Sequence, residues 1–113
     1  MKQGEIWLVD LNPTIGAEMQ KVRPALIVNV DALGKLPLKV IVPVTDWKEQ
    51  YVAALWMQKI VPNKENGLEK KSAIDCFQIR CVAQERLVRK IGIISFNELE
   101  EIKSKIAIIV GYK

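Results

Sequence analysis

The chain has 113 residues, 50% of them hydrophobic and 27% charged, with 17 Lys and Arg against 13 Asp and Glu for a net charge of +4. That balance, with a mean hydropathy of +0.09, excludes a disordered polyelectrolyte, and no apolar run approaches the ~18 residues that cross a bilayer. One domain spanning residues 1–113 is expected, large enough to bury a core without disulfides or metals.

The first two-thirds of the chain reads as short strands rich in β-branched and aromatic residues. In order they are 5–10 (EIWLVD), 24–30 (PALIVNV), 39–45 (KVIVPVT), 54–61 (ALWMQKIV) and 72–82 (SAIDCFQIRCV). Asn12-Pro13, Gly34, Pro37 and the stretch 63–67 supply the turns between them. Pro43 lacks a ladder donor, so the third strand is expected at an edge or with a bulge. Two connections are long enough to carry function or to cover a sheet edge: 11–22 (LNPTIGAEMQKV) and 47–51 (WKEQY).

The period changes at the end of the chain. Ser95 and Glu98 form a capping box, and Phe96, Leu99, Ile102, Ile106 and Ile109 follow at helical spacing. Glu101 and Lys105 are spaced for an i,i+4 pair, and Gly111 is placed to end the helix. The fold class expected is mainly β with a C-terminal helix, a small curled sheet or barrel closed by that helix.

Chemistry is bounded by what the sequence lacks. There is no histidine, and the two cysteines, Cys76 and Cys81, are five apart, on opposite faces if the chain there is extended. A disulfide between them, a Ser-His or Cys-His nucleophile, and a zinc site are therefore not expected. No metal or cofactor is called for. The opening residues carry no long apolar stretch, so a cytoplasmic location with no membrane segment is expected. The positive charge permits a polyanionic partner without requiring one.

Three clusters could carry chemistry. Arg23 stands where the polar loop 16–22 enters an apolar strand, held extended by Pro24. Its guanidinium suits a phosphate, but on residue type alone an ion pair with Glu18 or Asp75 that seals a sheet end is the commoner role. Thr45 ends the third strand, where its hydroxyl can meet a phosphate or cap the next turn; Asp46 carries the same ambiguity. In 72–82, period two places Ser72, Ile74, Cys76, Gln78 and Arg80 on one face, so Gln78 and Arg80 can line a groove or simply face solvent. Arg86, Arg89 and Lys90 read as a solvated basic run.

Taken together, the stretches 4–28 (GEIWLVDLNPTIGAEMQKVRPALIV), 40–45 (VIVPVT) and 72–80 (SAIDCFQIR) with 85–87 (ERL) resemble the MazF/PemK family, the toxin half of bacterial toxin–antitoxin pairs. The resemblance spans nearly the whole chain and is weakest over 47–71. It implies an SH3-like β-barrel of the CcdB/PemK type, a homodimer, and a metal-independent endoribonuclease that cuts single-stranded RNA. The ribose 2′-hydroxyl would attack the adjacent phosphate, leaving a 2′,3′-cyclic phosphate and a 5′-hydroxyl. It further implies a cognate acidic antitoxin as partner.

By position, Arg23 and Thr45 match the family's catalytic arginine and threonine. Glu18, Gln20 and Lys21 fall in the loop that gates the RNA channel, and Ser72, Gln78 and Arg80 are the expected RNA contacts. Arg23 would stabilise charge on the phosphorane-like transition state rather than act as a base, since its pKa stays above ~12. Several positions depart from the family pattern. Phe77 stands where an acidic residue often precedes the glutamine, with Asp75 the available substitute on its face. Ala17, Asp46, Cys81 and Ala83 replace commoner serine, serine, threonine and aspartate. Two alternatives share the architecture: a non-catalytic CcdB-like poison of DNA gyrase, and a member that binds RNA or antitoxin without cutting.

Overall fold

The computed structural model describes residues 1–112. Seven antiparallel strands and one helix are arranged as β1 (Glu5–Asp10), β2 (Val22–Ile27), β3 (Leu38–Asp46), β4 (Met57–Ile60), β5 (Ser72–Asp75), β6 (Arg80–Ala83), β7 (Leu87–Ile93) and α1 (Phe96–Ile109). The sheet runs β4-β5-β3-β2-β1-β7, with β6 also paired to β3. Its two end strands do not pair with each other, so it is curled but not closed, and "barrel" describes it loosely. A connection does bridge the gap: the Ile93 amide donates to the Glu65 carbonyl at 2.8 Å. Gly92 is required there, because a Cβ would stand 2.4 Å from the Glu65 oxygen and from the Asn66 carbonyl carbon.

Alternation along the central strands sends side chains to two apolar layers. Ile6, Leu26, Val42 and Val44 point to one layer, which Ile74 and Ile102 complete. Val9, Ala25, Ile27 and Ile41 point to the other, with Leu11 and Val82. Both faces being covered explains why β2 and β3 read as near-continuous apolar runs. Each isoleucine or leucine taken fully out of water contributes roughly 1.5–3 kcal/mol.

Three expectations about the strands are corrected. The stretch 72–82 is two strands, not one: the Asp75 carboxylate accepts from the Phe77 amide at 3.1 Å and turns Cys76–Gln78 into a 3-10 turn. β3 is central, not an edge, flanked by β2 on one side and by β5 and β6 on the other. β6 pairs with β3 up to Ile41 and β5 from Val44 onward, so Pro43 falls in the gap between the two ladders. The stretch 87–93 is a strand that the sequence reading left out: β7 pairs with β1 along it, with two register shifts, while Arg89 and Lys90 are exposed as expected of a solvated run.

The helix follows the sequence closely. The Ser95 hydroxyl accepts from the Glu98 amide at 3.1 Å, and the Glu98 carboxylate accepts from the Ser95 amide at 3.2 Å. At the other end, Gly111 adopts a φ of 75°. The Gly111 amide donates to the Ile108 carbonyl at 3.1 Å and the Tyr112 amide to the Ala107 carbonyl at 2.8 Å, a Schellman closure. Ile102 is fully buried, whereas Phe96 is 73% exposed and off the packed face. Glu101 and Lys105 do not pair: Glu101 accepts from Gln58, and Lys105 donates to the Leu55 carbonyl. Cys76 is buried and Cys81 exposed, both as free thiols. No helix among the described residues is long and apolar enough to cross a membrane.

Candidate active site

Arg23 and Thr45 meet because of the β2–β3 register. The ladder pairs Leu26 with Val42 and ends at Ala25 with Pro43; the same register, continued two residues past its end, brings Arg23 opposite Thr45. The Arg23 Nη1 stands 3.4 Å from the Thr45 Oγ1, and its Nε donates to the Gln20 carbonyl at 2.9 Å. That second bond anchors the guanidinium through its Nε. Among the described residues Arg23 has no carboxylate partner; Glu18 instead accepts from the Ile15 amide at 2.7 Å, and Asp75 is occupied at its own turn. The reading of Arg23 as a sealing ion pair is therefore not what the structure shows.

Both side chains are half-buried at the rim of a cleft of about 500 Å³. Ser72, Asp46, Lys70, Glu69 and Arg89 line it as well. Asp46 is held by the Lys70 ammonium at 3.1 Å, and the buried Ser72 donates its hydroxyl to the Lys70 carbonyl at 2.9 Å. Such a cleft offers a fixed planar cation, an adjacent hydroxyl and further positive charge, the requirements for gripping a phosphodiester.

Gln78 and Arg80 lie in a second cleft of about 350 Å³, with Glu18, Met19 and Phe77. Their polar heads are not free. The Gln78 carbonyl accepts from the Met19 amide at 2.6 Å and its amide donates to the Ala17 carbonyl at 3.2 Å. Arg80 donates to the Leu11 carbonyl at 3.1 Å, and Arg86 to the Asp10 and Asn12 carbonyls. These bonds pin the loop between β1 and β2, whose Met19 packs on the second apolar layer. Gln20 and Lys21 line neither cleft; both are exposed on that loop, where the Lys21 amide donates to the Asn12 side chain at 3.1 Å.

Asp75 lines neither cleft, so it does not stand in for an acid at Phe77. It is buried at its turn, and burial pushes its carboxyl upward against the lowering influence of the Phe77 and Gln78 amides. Phe77 is instead exposed, its ring 6.0 Å from that of Trp56. Burial pushes the Cys76 thiol up to about 11, so it is no nucleophile near neutrality. The loop after β3 lines neither cleft; Trp47 meets Tyr51 edge-on at 5.8 Å, with the Lys59 ammonium 5.2 Å from the Trp47 ring centre.

Sequence reasoning missed Arg89, Lys70 and the loop at Gly67 and Leu68 as cleft residues. The loop is organised by Asn66, fully buried, which binds the Asn63 and Leu68 amides and the Val61 carbonyl. An asparagine in a polar stretch gives no periodic signal for this. Arg89 could have been found only by recognising 87–93 as a strand.

Several known proteins share this architecture and sequence. MazF9 of Mycobacterium tuberculosis, named an endoribonuclease, is 34% identical over 109 residues, covering 90% of this chain and 89% of its own. Endoribonuclease MazF of Staphylococcus epidermidis is 29% identical over 112 residues, covering 98% and 92%. In fold, the chain is similar to MazF of Deinococcus radiodurans, at a TM-score of 0.80 and 19% identity over 98% of this chain and 96% of that one. A mycobacterial endoribonuclease in complex with its cognate antitoxin superposes at 0.78 and 16% identity over 100% and 97%. Residues 2–110 match the family described as PemK-like, MazF-like toxin of type II toxin–antitoxin system. With its fold, its Arg23–Thr45 cleft and this match in agreement, the chain belongs to the PemK/MazF toxin family.

Proposed function

We propose that this endoribonuclease toxin cuts single-stranded RNA in the cytoplasm, in the cleft at Arg23 and Thr45, by attack of a ribose 2′-hydroxyl on the neighbouring phosphorus. A 2′-O–P bond forms and the P–5′-O bond breaks. The 2′ proton passes to water and the departing 5′ oxygen takes one back. The products are a 2′,3′-cyclic phosphate and a 5′-hydroxyl. Arg23 faces the charge that grows on the non-bridging oxygens, which is where a preorganised cation lowers a barrier most. Thr45 orients the phosphate or the attacking hydroxyl. Once the loop between β1 and β2 releases Gln78 and Arg80, these two contact RNA, with Ser72 beside the phosphate and Glu18, Gln20 and Lys21 on the gating loop.

The observation that carries this reading is the Arg23 guanidinium, anchored through its Nε, 3.4 Å from Thr45 and without a carboxylate partner among the described residues. A route without a bound metal is supported by the donor set: no histidine, and no group of three metal-ligating side chains among the described residues. A cognate antitoxin, acidic where it meets Arg23, would occupy the same cleft, and two copies of the chain would form the working toxin. Relatives of this fold include a MazE–MazF complex from Deinococcus radiodurans.

The test is incubation of the pure chain with a long unstructured RNA in EDTA. Discrete fragments ending in cyclic phosphate are expected. Binding without cutting would instead make the chain a silent family member, and cutting only with added divalent cation would overturn the mechanism.

A further inference from the structure

The basic residues of the segment from Arg80 to Lys90 have different fates. Arg80 and Arg86 are spent on loop carbonyls, and Lys90 is paired with Glu5 at 3.1 Å. Arg89 is exposed and, among the described residues, its side chain has neither a hydrogen bond nor a carboxylate within ion-pair distance, yet it lines the Arg23–Thr45 cleft. The sheet explains how it comes there. Leu8 pairs with Pro24 on β2 and with Arg89 on β7, so the three form one row across the sheet. Two strand spacings, about 10 Å, separate the backbones of Arg89 and Pro24, the neighbour of Arg23.

We propose that Arg89 is a second phosphate contact of this cleft, holding the phosphodiester next to the one that is cut. The inference rests on the ribonuclease reading of the cleft and adds a residue to it. Two guanidiniums that line one cleft without carboxylate partners offer a polyanion one cation for each of two phosphates. Of the carboxylates lining the cleft, Asp46 is held by Lys70, which leaves Glu69 as the one acidic group near the opening. A contact of this kind positions the strand without reading its bases.

The experiment uses a 2′-deoxy oligonucleotide, which lacks the attacking hydroxyl and cannot be cut, so binding is read whether or not the chain is a nuclease. Its dissociation constant is measured against salt for the wild type, Arg89→Gln, Arg89→Lys and, as a control away from the cleft, Lys103→Ala. Loss of one single-strand phosphate contact lowers the salt slope by roughly 0.7. Arg89→Gln is expected to show that drop and to weaken binding by the same factor for every base sequence tested. Arg89→Lys is expected to keep most of the slope. On RNA, Arg89→Gln is expected to raise KM with kcat little changed. An unchanged slope in Arg89→Gln, a drop no larger than that of Lys103→Ala, or no binding of the probe by the wild type would overturn the proposal. Failure of the ribonuclease reading looks different: the wild type binds the probe and leaves RNA intact, and the Arg89 slope still decides the phosphate contact.

Discussion

Glu5 ties the chain's first residues and β7 to the first strand, and acid should release them. Its carboxylate accepts from the Lys2 amide at 3.0 Å and the Trp7 indole at 2.9 Å, and pairs with Lys90 of β7 at 3.1 Å. Burial alone would raise its pKa, but these partners together hold it down, from 4.5 to about 2. A depressed carboxyl pKa stabilises the fold above the unfolded value and loses that contribution as pH falls through the folded one. The span between 4.5 and about 2 corresponds to about 3 kcal/mol at most, reduced toward about 2 because the Lys90 partner is half in water. Glu5→Gln keeps an acceptor for Trp7 and removes the charge. Urea unfolding of both proteins between pH 7 and 2 should show a gap of about 2–3 kcal/mol at pH 6 that closes toward zero near pH 2. A gap of the same size at both ends would show that the Glu5 charge does not stabilise the fold.

Removing the Gln78 side chain as Gln78→Ala breaks both bonds to the β1–β2 loop and should cost about 1–2 kcal/mol; faster amide exchange at Met19 is the readout, and unchanged exchange would contradict the pinning. The two thiols should differ sharply toward a disulfide reagent at pH 8. Cys81 is expected to react at once and Cys76, buried with its thiol pushed up to about 11, only after denaturant; two fast thiols would show that the layer under α1 opens readily.

Much of this fold was legible in the sequence, for reasons that differ by element. β1 matches its expected bounds because its apolar run Ile6 to Val9 is uninterrupted and Asn12-Pro13 follows it, and α1 because both ends carry local stop signals, Ser95 with Glu98 and Gly111. The break inside 72–82 was hidden because it depends on one side chain, Asp75, capping a turn within an apolar run. β7 was hidden because two register shifts against β1 spoil the period of two. At the site, Arg23 and Thr45 were visible as strand-end residues, and the ladder joins them. Gln78 and Arg80 were visible as polar residues on extended chain, but their loop partners lie 59 residues or more away in sequence and leave no local pattern. The predicted substitution of Asp75 for an acid at Phe77 failed for the same reason as the long strand: the shared face it assumed does not exist.

On the proposed mechanism, the Arg23 guanidinium stabilises the cleaving phosphate rather than the fold. Single-turnover cleavage of an RNA oligonucleotide in EDTA, measured for wild type and Arg23→Ala beside their affinity for the uncleavable deoxy analogue, separates the two. A rate lower by about 10²–10³ is expected in the variant, with affinity reduced by less than about tenfold. A rate within about threefold of wild type, from a folded variant, would contradict it.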